Sequence, residues 1–297
     1  MNIAVVGSYG VGLSMRVDAV PGAGETVAGG VFSAGHGGKG SNQAVAAARL
    51  GGSVSFLTAL GDDAYGREAR ELWASEGIDA HVVTGEGATM VGVILVEPDG
   101  ENRIIVAPGV LNELVPEDVE AFRPALAAAD IAVISLEIPV PVAIAALRIA
   151  HEEGTRTILN PAPAHVLPDE AWLWVDVVTP NNSELKTMLG VTQEDPRSVE
   201  ELAELFQAYT AADVVVTRGA DGALIATPAG LTPIAPIPPK KLVDTTGAGD
   251  SFTGALAVAL TEGKSLAEAA GFASVVGSIT VSGPDVIPSL PHRSDLP

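Results

Sequence analysis

The chain has no cysteine, which removes disulfides, thiolate catalysis and cysteine-ligated metals from consideration. Aromatic residues make up 4% of its 297 positions, too few for a surface that stacks nucleic-acid bases. Basic residues are scarce: 16 Lys and Arg stand against 37 Asp and Glu, a net charge of −21. Such a chain repels nucleic acid and anionic membrane, so neither is expected as a partner. It repels free nucleotides as well. Any nucleotide site must rest on local N–H groups, a metal ion and a few well-placed cations. No apolar run reaches the ~18 residues of a membrane span. The opening residues, Met1-Asn2-Ile3-Ala4-Val5-Val6-Gly7, read as a short strand and not as a signal peptide with a basic start, and the expected location is cytoplasmic.

What the chain does have is glycine, 33 of them, with 21 prolines and a 47% hydrophobic share. One stretch organises the rest: Val243-Asp244-Thr245-Thr246-Gly247-Ala248-Gly249-Asp250, running into the apolar segment Ala255 to Leu260, which reads as a buried helix. Glycines let the backbone turn tightly and present bare N–H groups. A helix start adds unpaired donors and partial positive charge, so Gly247, Ala248 and Gly249 form a candidate anion hole. Asp250 stands at its mouth. An anion there suits a general base that takes a proton from a hydroxyl attacking a bound phosphoryl group. The bland alternative, a first-turn carboxylate complementing the helix dipole, has about even odds for the motif alone.

A second glycine-rich stretch, Ala34-Gly35-His36-Gly37-Gly38-Lys39-Gly40-Ser41-Asn42-Gln43, reads as a loop leading into the helix Ala44 to Leu50. It is not a phosphate-binding P-loop, because Ser33 replaces the first glycine and Gly40 replaces the hydroxyl residue after Lys39. Lys39 between glycines has little apolar reason to be there, so Lys39 and Asn42 read as groups aimed at a hydroxyl-bearing ligand. Gly7-Ser8-Tyr9-Gly10-Val11-Gly12 superficially suggests dinucleotide binding. Leu13 to Val17 then alternates like a strand, and no helix opens there, which leaves a dehydrogenase a distant third reading.

Met90 to Val96 and Arg103 to Val106 alternate around Glu97-Pro98-Asp99-Gly100-Glu101, a hairpin signal. With the glycine-rich region before residue 33 this predicts a small β-sheet lid, from strands within about 10–33 and 89–107. From Asp130 onward apolar strands alternate with amphipathic helices, the pattern of a parallel sheet covered on both faces. In such sheets ligands bind at the carboxyl ends of the strands. Glu137, Asn160, Thr179 to Glu184 and Thr217 to Asp221 recur there. The fold expected is a three-layer α/β/α sandwich with a mostly parallel sheet plus the lid, in one domain over 1–297.

Three stretches carry a resemblance over nearly the whole chain: Gly37 to Ala48, Leu159-Asn160-Pro161-Ala162-Pro163-Ala164, and Val243 to Asp250. Together they resemble the ribokinase-like, PfkB family of carbohydrate kinases. The resemblance implies ATP-dependent phosphorylation of a sugar or polyol hydroxyl with Mg²⁺, and a homodimer through the lid. It makes Asp250 the base and Gly247, Ala248 and Gly249 the anion hole. It assigns sugar contacts to Gly38, Lys39, Asn42 and Glu137. It puts Asn181 and Glu184 near phosphate and Mg²⁺, the metal held through water. Thr217, Gly219, Gly222 and Ser274 then bind ATP, while Asp244 and the Thr246 carbonyl form part of a monovalent-cation site, with K⁺ as the candidate ion and main-chain groups of Val281 to Asp285 as further ligands.

Two departures matter. The family places an Asn and an Asp against the sugar where this chain has Gly10 and Gly12. Losing a carboxylate that accepts two hydroxyl bonds costs on the order of 2–4 kcal/mol of binding. Two small residues also leave room, so the expected acceptor is a larger sugar or polyol, or one whose hydroxyls differ at that end. Pro284 and Asp285 stand where the family has a basic residue and glycine, which leaves K⁺ activation open. The competing reading is a catalytically silent sugar or nucleotide sensor on the same fold. Intact Gly247 to Asp250, Lys39 and Glu184 speak against it.

Overall fold

Short runs of Val, Ile, Leu and Ala, buried on both sides, form the strands at the centre of the molecule. The computed structural model describes residues 1–97 and 102–297. Its main sheet contains β1 (Asn2–Val6), β4 (Ser53–Gly61), β5 (Asp79–Gly85), β8 (Ile131–Ser135), β9 (Arg156–Asn160), β10 (Val177–Val178), β11 (Asp213–Thr217), β12 (Ala223–Thr227) and β13 (Gly230–Ile234). Their order is β13-β12-β11-β10-β9-β8-β1-β4-β5. Pairing is parallel from β11 to β5, and antiparallel only at the β11–β12–β13 edge. Parallel strands need covering on both faces. One apolar core lies under α1 (Lys39–Arg49), α2 (Ala64–Ser75), α7 (Ala248–Thr261) and α8 (Leu266–Thr280). The other lies under α3 (Pro116–Ala128), α4 (Val140–Glu152), α5 (Asn182–Met188) and α6 (Val199–Thr210). This is the expected three-layer sandwich with a mostly parallel sheet.

Helix starts follow the side chains that satisfy first-turn N–H groups. Asp63 caps α2 through Gly66 N at 2.8 Å. Asn181 with Glu184, Ser198 with Glu201, and Ser265 with Glu268 form reciprocal capping boxes on α5, α6 and α8. α1 and α7, the two helices at the candidate site, are the ones whose N-caps are glycines with no side-chain cap.

A separate small sheet has the order β3-β2-β6-β7, from β2 (Gly10–Arg16), β3 (Val31–Gly37), β6 (Val91–Val96) and β7 (Asn102–Ala107). β6 and β7 pair antiparallel as anticipated. The turn between them, Pro98 to Glu101, lies outside the described residues. The lid differs from expectation in two ways. Residues 17–30 form no strand, and β3 continues to Gly37, so Ala34 to Gly37 is strand and not loop. The ladder with β2 overrides the loop preference of its glycines. Four elements were not anticipated. β5 has a diluted apolar pattern, α3 starts on Pro116 and carries Pro124 inside, and β12 and β13 are an Ala- and Pro-containing edge, where a strand proline is tolerated.

The C-terminal segment is tied back onto α1. Arg49, at its end, forms a bidentate pair with Glu76 and donates to the carbonyls of Ile287 and Leu290, both at 2.7 Å.

Candidate active site

The carboxyl ends of β1, β8 and β9 converge on the first turns of α1 and α7. Gly254 sets the approach of the two helices: a Cβ there would stand 2.7 Å from Gln43 O and 2.9 Å from Ala46 Cβ. Close packing brings α1 side chains onto Asp250, which is buried in the first turn of α7. Asn42 Nδ2 donates to Asp250 Oδ2 at 2.8 Å, and Gln43 Nε2 to Oδ1 at 3.3 Å. The same Gln43 amide donates to Asn160 Oδ1 at 3.0 Å, and Asn160 contacts Thr179. Asn42 Oδ1 is buried with no partner among the described residues.

The charges are coupled. Burial pushes the Asp250 carboxyl above its ordinary value, and the Lys39 ammonium and the two amides partly offset that. Asp250 in turn holds Lys39 above its usual range against burial, with help from Glu137 and Glu184. Burial also raises Glu184, which feels both Lys39 and Asp250. Glu137 closes the other side, accepting from Lys39 N at 3.0 Å and from Ser8 Oγ. Thus Lys39, Asn42, Glu137, Glu184 and Asp250 form one electrostatic cluster. Asn181 and Glu184 satisfy each other as a capping box, at 2.8 and 2.9 Å, which occupies Glu184 Oε2.

Gly247 adopts φ +78°, and a Cβ there would fall 2.3 Å from Val286 Cγ1, so only glycine fits. Within α7 the backbone bond back from Ser251 N reaches Gly247 O at 2.8 Å, while Ala248 N takes a longer bond to Thr245 O at 3.3 Å. Beside this helix start lies a cavity of about 580 Å³ lined by Thr217, Gly219, Gly222, Ala248, Gly249 and Ser274, among others. Pro236, Ile237, Pro238, Pro239 and Leu242 make its wall largely apolar. The cavity therefore brings together Thr217, Gly219, Gly222 and Ser274 with two residues of the candidate anion hole. Asn181 is not in its wall but bridges to Thr217.

Asp244 and Thr246 lie one loop away. Thr246 N donates to Asp244 Oδ1 at 2.9 Å, and Val281 O accepts from both Val243 and Asp244 N–H groups. Asp285 has φ +58°, the left-handed conformation a glycine adopts readily and aspartate tolerates. Gly10 and Gly12 sit at the start of β2, but the space at Gly10 is not free. Met90 fills it, with its Cε 2.5 Å from where a Cβ would be. The expectation of room on both glycines is corrected to room at Gly12 only.

Sequence reasoning placed Asn160 among the polar strand ends, but quoted Gln43 in a motif without singling it out for the site. Gln43 donates to the buried carboxylate across 207 residues and to Asn160, 117 residues away, which fixes its amide. Ser8 was likewise missed as the partner of Glu137. A polar run on the first turn of a glycine-started helix was the available signal.

Comparison with known proteins identifies the family. The profile described as pfkB family carbohydrate kinase matches residues 1–293. A bifunctional ribokinase/ribose-5-phosphate isomerase A from Fructilactobacillus sanfranciscensis is 39% identical over 99% of the chain, which spans 55% of that longer protein. A ribokinase from Haemophilus influenzae is 34% identical over 99% of the chain and 96% of its own length. Among solved structures, Thermotoga maritima ribokinase superposes with a TM-score of 0.89 at 32% identity, covering 99% of this chain and 97% of that one. Arabidopsis thaliana ribokinase complexed with ribose and ATP superposes with a TM-score of 0.90 at 29% identity, covering 99% and 96%. The chain belongs to the pfkB family of carbohydrate kinases and is an ATP-dependent carbohydrate kinase.

Proposed function

We propose that Asp250 is the general base that deprotonates an acceptor hydroxyl as its oxygen attacks the γ-phosphorus of ATP. The new O–P bond forms as the bond to the β-phosphate oxygen breaks, ADP leaves, and the proton stays on Asp250 until solvent takes it. The observation that carries this reading is the buried Asp250 carboxylate, held by Asn42 and Gln43, one residue beyond the Gly249 that lines the apolar cavity. Two amide donors and Lys39 favour the ionised carboxylate against burial, and burial makes it a stronger base. The N–H groups of Gly247, Ala248 and Gly249 stabilise charge developing on the transferred phosphoryl group.

Gly38, Lys39, Asn42 and Glu137 hold the acceptor. Thr217, Gly219, Gly222 and Ser274 hold the nucleoside part of ATP, and Asn181 and Glu184 face its phosphates. Among the described residues no group of three or more carboxylate or imidazole ligands exists. That fits Mg²⁺ held mainly by ATP phosphates and water, with the Glu184 carboxylate as an outer partner. Bound in this way Mg²⁺ would neutralise phosphate charge alongside the anion-hole N–H groups, in a chain of net charge −21. Asp244 Oδ2 and the Thr246 carbonyl are the candidate ligands of a monovalent cation, and turnover in K⁺ that exceeds turnover in its absence, lost in Asp244→Ala, is the expected sign of it.

The lid exposes Val31, Phe32, Ile104 and Ile105 at 56% or more, an apolar surface suited to a second copy of the chain. The acceptor is a ribose-like sugar or polyol. ADP release from ATP and Mg²⁺ across pentoses, hexoses, polyols and nucleosides tests the assignment, with Asp250→Asn as the control. Wild-type turnover that survives that substitution contradicts the base, and binding without turnover on any acceptor favours the silent sensor.

A further inference from the structure

At one end of the small sheet, a patch on one face of β2, β3 and β6 carries no side chains. Gly10 stands opposite Gly37, Gly12 opposite Gly35 on β3, and Gly12 opposite Gly92 on β6. Residues paired across strands share a face, and every second residue returns to it. Gly10, Gly12, Gly35, Gly37 and Gly92 therefore form one continuous bare face, and Val11, His36 and Val91 form the other.

Contacts at the base of the sheet fix which way the bare face looks. On the opposite face, Val11 belongs to the core that contains Trp73 of α2. His36 bonds Tyr9 Oη at 2.7 Å, and Tyr9 packs edge-on against Trp73. That face turns toward α2. On the bare face, Met90 covers Gly10 and belongs to the other core, which includes Leu136 and Ile138. Those residues flank Glu137, the partner of Ser8 and Lys39 N. The glycine face thus looks toward Glu137 and the acceptor corner.

The fold does not demand most of these glycines. A Cβ on Gly35 or Gly92 would meet nothing within 4 Å, and on Gly12 only Ile94 Cδ1 at 3.7 Å and Gly35 O at 3.9 Å. None of the three has a left-handed backbone. Glycine inside a strand costs stability and offers nothing to pack. Here it leaves open space against a wall of bare backbone. The bordering side chains are Met90, Ile94 and, on β7, Val106 opposite Gly92 and Ile104 opposite Ile94, with Ser14 and Ser33 farther out on the same face. No side chain between Gly10 and Gly12 is present to bond sugar hydroxyls.

We infer that the natural acceptor is a glycoside: a sugar bearing an uncharged, hydroxyl-poor substituent on its lid side, seated on the face of Gly12, Gly35 and Gly92. Nitrogen-linked nucleosides and oxygen-linked glycosides share that chemistry. The inference rests on the kinase reading above for the position of the acceptor.

The test compares kcat/KM for ribose, methyl and phenyl β-ribosides, adenosine and uridine, in the wild-type chain and in Gly35→Val and Gly92→Val. β-Branched residues suit strands, so both variants are expected to melt at or above the wild-type temperature. Gly12→Ala serves if either fails to fold. The expected result is a wild-type preference for at least one substituted sugar over ribose of tenfold or more, and a fall in that ratio of about tenfold to a hundredfold in the valine variants, the usual reach of a steric change in a pocket. A best rate on adenosine or uridine identifies the nitrogen-linked class, and a best rate on phenyl riboside the oxygen-linked one. A wild type that prefers ribose to every glycoside overturns the inference, and so does a ratio unmoved by the valines. If no acceptor turns over, the kinase reading has failed, and calorimetric titration with the same probes decides the recess by itself. Glycoside binding weakened in Gly35→Val upholds it, and no glycoside binding overturns it.

Discussion

The acceptor corner and the lid above it are built on opposite terms. In the corner the carboxylates are held: Asp250 accepts from two amides, one of those amides is itself fixed by Asn160, and Glu137 is tied to Ser8 and to Lys39 N. On the lid the face toward that corner carries a patch of five glycines, and the strands expose aliphatic side chains. Proton transfer needs a base at fixed distance in a fixed field, and that demands a shell of partners. Choice of acceptor needs only space, which can be enlarged or filled without touching the shell. The difference suggests that changes in the corner alter the rate for every acceptor, whereas changes on the lid alter which acceptor is used.

The largest test of that division is Asp250→Asn. It keeps the shape and both neighbours, and it is expected to lower kcat by about 10²- to 10⁴-fold on every acceptor, with a folded protein by circular dichroism. A loss confined to one acceptor would break the comparison. Gly247→Ala comes next. It forces an unfavourable φ and a clash with Val286, and should cost about 1–3 kcal/mol of stability along with most of the turnover. Gly249→Ala, where a Cβ meets nothing within 4 Å, should melt close to wild type.

Gln43→Ala leaves Asn160 and Asp250 short of a donor in a buried place, an expected loss of about 1–3 kcal/mol by denaturant titration, with kcat falling on all acceptors alike. The pH profile gives a finer test. A base works only when deprotonated, so activity is present above its pKa and is lost as pH falls through it. Burial raises Asp250, so the acid limb of kcat/KM should lie above the ordinary carboxylate range. Lys39 opposes that rise, so Lys39→Met should move the limb further up. A limb that moves down would contradict the coupling. Ile105→Asp, on the exposed lid, should change turnover least while shifting any dimer toward monomer in a sedimentation experiment.

Much of this was legible in the chain. The strands around Val5, Val133 and Val215 are apolar runs between turn signals, and the residues of both glycine-rich stretches do meet at one corner. The lid hairpin strands were also readable, through alternation around Met90 to Val106. Other features were hidden because they depend on partners distant in sequence. Nothing local to Gln43 says that it touches Asn160, and nothing local to Gly10 says that Met90 fills its space. β3 reads as loop through Gly37 because its pairing with β2, and not its own composition, makes it a strand.

The tail that Arg49 fastens to α1 has a bearing on the chemistry at the far end of the same helix. Ile287 and Leu290 are anchored by the last residue of the helix whose first turns carry Lys39, Asn42 and Gln43. Val286, next to Ile287, is the side chain that leaves room for nothing but glycine at 247. The tail thus braces the two helices that hold the reacting groups, touching one at its end and the other at its beginning. A chain shortened at Gly283 keeps every strand of the main sheet and every residue of the corner, yet loses the piece that braces the two helices. Its rate should fall well before its secondary structure does.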